Sequence, residues 1–219
     1  LGEAHSHLTA EEKNLMIRAV FFDVGGVLLN MENHDKRHEW ETRLGLPTEY
    51  LTRLVFGSEV FARALTGEVP EEAVWKYVAE TLGLSDEQLP QFRNDFWVGE
   101  RLNVELAQFA QTLRPRYRVG IISNAASVAR ADVNRKFNLD RYVDDAIYSA
   151  EVKLIKPDLR IYQLALAQLD VRADESVFVD DMSANVEAAR ALGMKGIQFK
   201  NTEQTMTEIR RYLDDDNQA

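Results

Sequence analysis

Four places in the sequence gather groups that can act together on an anion. Asp23 directly follows the apolar run RAVFF and precedes Val24-Gly25-Gly26-Val27. A carboxylate at the end of such a run is held rigidly, while Gly25 and Gly26 allow a tight turn whose N–H groups can face an anion. Ser123 and Asn124 stand in the same position after RVGII. A hydroxyl, a side-chain amide and the first N–H groups of a following helix suit a phosphate oxygen. Lys156-Pro157-Asp158 precedes a third helical pattern. There Asp158 favours the helix start, and Lys156 can neutralise an anion and hold a neighbouring carboxylate ionised. Asp180 and Asp181 follow SVFV, and Asn185 lies one helical turn further on. Paired carboxylates repel each other without a cation, and their oxygens suit a hard one, hence Mg²⁺. Taken singly, Asp23 reads equally as a turn cap and Ser123-Asn124 as a helix N-cap. The order carboxylate, hydroxyl plus amide, lysine, carboxylate pair is far more specific than its parts.

The elements that must position these groups are four short runs rich in β-branched and aromatic residues, at 18–22, 118–122, 176–179 and 195–199, with a weaker fifth at 146–149. Each reads as a buried strand. Helical patterns lie between and after them at 102–113, 128–137, 159–169, 183–192 and 202–213. Alternating strands and helices imply an α/β fold, a Rossmann-like three-layer arrangement with a parallel sheet covered on both faces. Right-handed crossovers put the strand C-terminal ends on one edge, where ligands bind. Residues 33–100 break the alternation: they hold amphipathic helical stretches punctuated by glycine and proline. The expected organisation is a core of 16–32 and 101–219, a helical cap of 33–100 over the ligand edge, and an N-terminal extension of 1–15.

The chain has 219 residues and a formal net charge of −10. That size suits a core domain with a smaller insertion. That charge argues against nucleic acid or an anionic membrane surface as partner and leaves a small molecule as the expected one. There is no cysteine, which removes disulfides, thiol catalysis and thiolate metal sites and fits a cytoplasmic setting. No apolar run approaches the roughly 20 residues that span a bilayer. His5 and His7 read as tail histidines, the final DDDNQA as a frayed acidic tail, and Lys153 as a solvated charge. Monomer and homodimer remain equally open.

At the four motifs the chain resembles the haloacid dehalogenase superfamily of hydrolases. FFDVGGVLL matches its first motif, IISNA the second, KPDLRIYQ the third and VFVDDMSANVEAARALGM the fourth. The last two look most like the phosphatase domain of soluble epoxide hydrolases and like small bacterial sugar-phosphate phosphatases. The resemblance implies a sheet ordered 5-4-1-2-3, a helical cap between the first and second motifs, and an aspartyl-phosphate intermediate in the hydrolysis of a small phosphate monoester, a sugar phosphate among the options. It implies Asp23 as nucleophile and Mg²⁺ ligand, with the Gly25 carbonyl and Asp181 as further ligands. Asp180 and Asn185 would orient ligands and bound water. Ser123, Asn124, Lys156 and the backbone at Gly26 would hold the phosphoryl group.

One position departs from the pattern. Phosphatases of the superfamily usually carry an acid/base aspartate two residues after the nucleophile, where this chain has Gly25. General acid–base catalysis contributes roughly 10²–10⁴-fold, so the loss matters. Three outcomes stay open: a neighbour such as His34 or Asp35 substitutes, a good leaving group needs no acid, or turnover is feeble. Arg63, in a segment with Phe61 and Thr66, is a candidate substrate contact, though it reads more readily as a surface arginine on a helix. The alternative activities are 2-haloacid dehalogenase, which attacks carbon without a metal, and a binding or regulatory module without turnover.

Overall fold

The computed structural model describes residues 16–215, with side chains to Leu213. His5, His7, the 1–15 extension and most of the acidic tail lie outside the described residues.

Five strands, β1 (Ala19–Phe22), β4 (Arg118–Ser123), β5 (Asp145–Tyr148), β6 (Ser176–Asp180) and β7 (Lys195–Gln198), pair in parallel in the order β5-β4-β1-β6-β7. Counted among themselves along the chain, these core strands run 5-4-1-2-3 from the β7 edge. The labels differ because two further short strands, β2 (Leu29–Met31) and β3 (Glu100–Leu102), form a separate antiparallel ribbon. β1 is buried at every position, as a central parallel strand must be.

Alternation along β1 assigns the two faces. Val20 and Phe22 join one cluster with Leu106 and Ala110 of α6 (Val104–Leu113) and Ile209 of α11 (Thr202–Asp215). Ala19 and Phe21 join the other with Ile161 and Tyr162 of α9 (Leu159–Gln168) and Ala189 of α10 (Ser183–Leu192). The result is the three-layer α/β architecture that the strand–helix alternation predicts. Between the ribbon strands lie five helices: α1 (Asp35–Arg43), α2 (Tyr50–Phe56), α3 (Glu59–Leu65), α4 (Glu71–Leu82) and α5 (Leu89–Trp97). They build a hydrophobic cluster of their own around Trp40, Leu51, Val74, Trp75, Phe92 and Phe96. The remaining helices are α7 (Ala129–Phe137) and the one-turn α8 (Ser149–Val152).

The helical segment touches the core at a defined place. Ser149 Oγ donates to the Leu65 carbonyl at 2.6 Å and accepts from the Ala125 N–H at 3.0 Å. Gly67, at φ +68°, lies so close that a Cβ there would sit 2.4 Å from the Ala150 carbonyl oxygen. Only glycine combines that left-handed backbone with that approach.

Candidate functional site

β1, β4 and β6 end side by side, because Phe22 pairs with Ile121 on one flank and Val179 on the other. Their C-terminal residues are therefore neighbours in space. Asp23, Asp180 and Asp181 offer carboxylate oxygens that all lie within 4.8 Å of one another.

Lys156 ties this cluster together. Its ammonium lies 2.9 Å from Asp23 Oδ1 and 2.6 Å from Asp180 Oδ2, with the side chain fully buried. The Val24 N–H also donates to Asp23 Oδ1, at 2.6 Å. One oxygen of Asp23 is thus fixed, and Oδ2 has no hydrogen-bond donor among the described residues. Asp180, fully buried, is saturated: it accepts from Lys156, from Asn185 Nδ2 at 3.0 and 3.1 Å, and from the Met182 N–H at 2.8 Å. Its bonds serve to aim Lys156, and Asn185 orients Asp180.

Asn124 does something the sequence does not reveal. Its amide donates to the Lys156 carbonyl at 3.0 Å and accepts from the Lys156 N–H at 2.8 Å. The side chain expected to meet phosphate clamps the backbone that presents the lysine. Ser123, buried at the end of β4, lines the same cavity as Gly25.

Electrostatically the cluster sets three carboxylates against one ammonium. Burial pushes Asp23 up to about 6; the Lys156 charge and hydrogen bond pull the other way, and the Asp180 charge adds to the rise. Burial, then the Asp180 charge, raises Asp181 as well. Such an excess of negative charge fits a divalent cation. The backbone fits it too. Gly26, at φ +77°, approaches so closely that a Cβ would meet Asp181 Oδ2 at 2.4 Å, so the glycine turn and this carboxylate are moulded to each other. Gly25, in contrast, has nothing within 4 Å of the position a Cβ would take.

A cavity of about 230 Å³ lies between the helical segment and the core, with Val24, Gly25, Ser123 and Asn124 in its wall. Phe61 lines it; Arg63 does not, and is exposed and paired with Glu68 at 3.3 Å. Thr66 bonds Glu68 and the Arg63 carbonyl instead. His34 stacks on His38 at 6.1 Å, and Asp35 receives the Asn33 amide at 2.8 Å; neither lines the cavity. Lys153 is exposed, as read from the sequence. Tyr148, Trp75 and Trp97 are wall residues that no sequence motif marks.

Known proteins resemble this chain in sequence and in fold. Over 193 residues the chain is 26% identical to the phosphorylated carbohydrates phosphatase of Thermotoga maritima, covering 83% of this chain and 84% of that one. It is equally 26% identical over 195 residues to (S)-2-haloacid dehalogenase 1 of a Pseudomonas species, with 84% of each covered. The matches to the first curated relatives span only 36% to 39% of those proteins' own length. In fold it superposes on a HAD family enzyme of Bacteroides thetaiotaomicron, crystallised with magnesium and inorganic phosphate, at TM-score 0.69 and 20% identity, covering 84% of this chain and 94% of that one. The family model for haloacid dehalogenase-like hydrolases matches residues 17–193, which contain all four strand-end motifs, and the chain belongs to that family of hydrolases.

Proposed function

We propose that the protein is a Mg²⁺-dependent phosphatase of small phosphate monoesters that works through a phosphorylated Asp23. The observation that carries this reading is the buried Lys156 bridge between Asp23 and Asp180, with Asp181 in the same cluster. It leaves one nucleophilic oxygen free beside an excess of carboxylate charge.

Asp23, Asp181 and the Gly25 carbonyl would hold the metal, because the Asp180 oxygens are already taken by Lys156, Asn185 and Met182. Bound there, Mg²⁺ would offset the carboxylate charge and polarise a phosphoryl oxygen. Asp23 Oδ2 attacks phosphorus, the bond from phosphorus to the ester oxygen breaks, and an acyl phosphate forms on Asp23. The departing alkoxide takes a proton from solvent, since Gly25 offers none. Water then attacks the phosphorus of the acyl phosphate, releasing inorganic phosphate and restoring the carboxylate. Lys156, fixed by Asp180 and Asn124, offsets charge on the phosphoryl group in both steps. Ser123 and the Gly25 N–H contact the same group; the Gly26 N–H, expected from the sequence to share this role, donates to the Leu29 carbonyl at 2.8 Å instead. The helical segment at 33–100 acts as the cap that excludes water from the core at 16–32 and 101–219.

The expected partner is a small phosphate ester in a cytoplasmic setting, not nucleic acid or membrane. In support, the net charge is −10 and cysteine is absent, and among the described residues no helix is long and apolar enough to cross a membrane. Dehalogenation is the competing reading, favoured by the haloacid dehalogenase relative. Its attack on carbon needs no cation and leaves the Asp23–Asp180–Asp181 charge without a purpose. The deciding assay offers p-nitrophenyl phosphate and 2-chloropropionate, each with Mg²⁺ and with EDTA. Phosphate release that needs the metal and disappears in Asp23→Asn supports the phosphatase. Halide release indifferent to EDTA refutes it.

A further inference from the structure

Resting on the phosphatase reading, we propose that the ester cleaved is that of an apolar alcohol, whose hydrocarbon part occupies the chamber between the helical segment and the core. One end of this chamber is the proposed phosphoryl site, with Gly25, Ser123 and Asn124. Away from that end the wall is hydrocarbon and aromatic, including Val55, Phe61, Val74, Trp75 and Trp97. Phe56 also lines it and is 41% exposed, an aromatic ring left open to an apolar contact. The cavity of about 230 Å³ has room for roughly eight water-sized groups.

A sugar leaving group would bring several hydroxyls into this space, and each needs a partner or costs free energy. The wall has few partners to give. Of its charged groups, Glu71 accepts from Trp75 Nε1 at 2.7 Å and from Arg93 at 2.9 Å, and Glu100 pairs with Lys136 at 3.6 Å. Asn124 is committed to the Lys156 backbone. Besides Ser123, assigned above to the phosphoryl group, the wall hydroxyl left over is that of Tyr148, 1% exposed and without a hydrogen-bond partner among the described residues. Tyr148 pairs in register with Ser123 across β4 and β5, so it belongs to the phosphoryl end. Burial pushes its phenol well above the ordinary range, so it stays a donor. One unpaired donor near the phosphate and apolar surface beyond it match an amphiphile: a phosphate head and a hydrocarbon tail. Tyr148 would donate to an ester or phosphoryl oxygen of that ligand.

The test compares kcat/KM of the full chain with Mg²⁺ for ethyl, hexyl and decyl phosphate, below micelle formation, and for glucose 6-phosphate. Efficiency should climb on the order of threefold per buried methylene until the chamber is full. Decyl phosphate should exceed glucose 6-phosphate at least a hundredfold. Phe61→Ser should cut the decyl-to-ethyl ratio at least tenfold, and Tyr148→Phe should lower both esters alike. A flat alkyl series, or glucose 6-phosphate cleaved as well as decyl phosphate, overturns the inference while leaving the phosphatase reading intact. If no phosphate is released even from p-nitrophenyl phosphate, the phosphatase reading fails, and calorimetry with Asp23→Asn then judges the chamber alone. Tighter binding of decyl phosphate than of glucose 6-phosphate upholds the ligand class, and equal binding sinks it.

Discussion

Asp23, the proposed nucleophile, is 8% exposed, so its place in the fold works against the ionised form that the proposed attack needs. Its carboxyl, pushed by burial to about 6 from 3.8, holds a proton more tightly in the folded chain than in the unfolded one. Between those values the native state binds more protons, so the stability of the metal-free protein falls as pH rises through this window. Above about 6 the whole penalty is present; below 3.8 it has vanished. Asp23→Asn should therefore stabilise the metal-free protein at pH 7.5, on the order of 1 kcal/mol, with no gain at pH 3.5. Urea melts of both proteins at the two pH values would show it, and a loss at pH 7.5 would contradict the picture. Mg²⁺ should raise the melting temperature of the wild type and not of this variant, since binding to the native state alone is stabilising. The adjacent glycines predict opposite outcomes. At Gly25 a side chain meets nothing within 4 Å, so Gly25→Asp can carry the missing acid/base group and should raise kcat about 10–100-fold. At Gly26 a methyl would collide with Asp181, so Gly26→Ala should weaken Mg²⁺ activation at least tenfold, read from the metal concentration giving half-maximal rate.

The turn after α3 and the start of α8 form the joint that sets the helical segment over the strand ends. Ser149 is fully buried and makes its bonds to Leu65 and Ala125 across that joint. Ser149→Ala leaves the Leu65 carbonyl and the Ala125 N–H without this partner, a cost of about 1–3 kcal/mol. Gly67→Ala adds left-handed strain of about 1–2 kcal/mol to a collision with the Ala150 carbonyl. Both should raise KM more than they lower kcat, and both should speed amide exchange at 65–67 while β1 stays protected. Such joints are hard to read in a sequence, because Leu65 and Ser149 are 84 residues apart. The buried strands were legible for the opposite reason: RAVFF, RVGII and SVFV carry their β-branched and aromatic character locally. The convergence of Asp23, Asp180 and Asp181 was legible because parallel topology forces strand ends together, and Lys156 joins them from the loop between α8 and α9. The β2–β3 ribbon was not, since LNM and ERL are three residues each and only partly buried. Asn124 was placed at the right strand end, but its clamp on Lys156 was not legible, because it spans 32 residues and leaves no local pattern. The chamber was the least legible part, because its wall is assembled from α2, α3, α4, α5, α7 and the ends of β4 and β5.

For the whole molecule the governing quantity is a net charge of −10, which the proposed phosphate ester substrate would approach as an anion. The ammonium at the proposed phosphoryl site does little to attract it from afar. Lys156 is fully buried, and its charge is already matched by Asp23 and Asp180. Repulsion over the surface should therefore slow encounter at low ionic strength and fade as the Debye length shrinks from about 30 Å at 0.01 M to about 8 Å at 0.15 M. We expect kcat/KM for an alkyl phosphate to rise about two- to fivefold over that range of NaCl at constant free Mg²⁺, with kcat unchanged. A second surface feature could reverse the sign. Arg93, Arg101, Arg135 and Lys136 line an open groove of about 760 Å³ together with Glu72, Glu100 and Asp132, a small positive excess, and the groove shares Trp75, Trp97 and Glu100 with the chamber. If substrate entered through that groove, its local positive charge would draw the anion in, and added salt would lower kcat/KM. The direction of the salt effect thus reports the route of entry. Arg101→Gln with Arg135→Gln checks the assignment: the pair should leave a rising profile unaltered and should flatten a falling one.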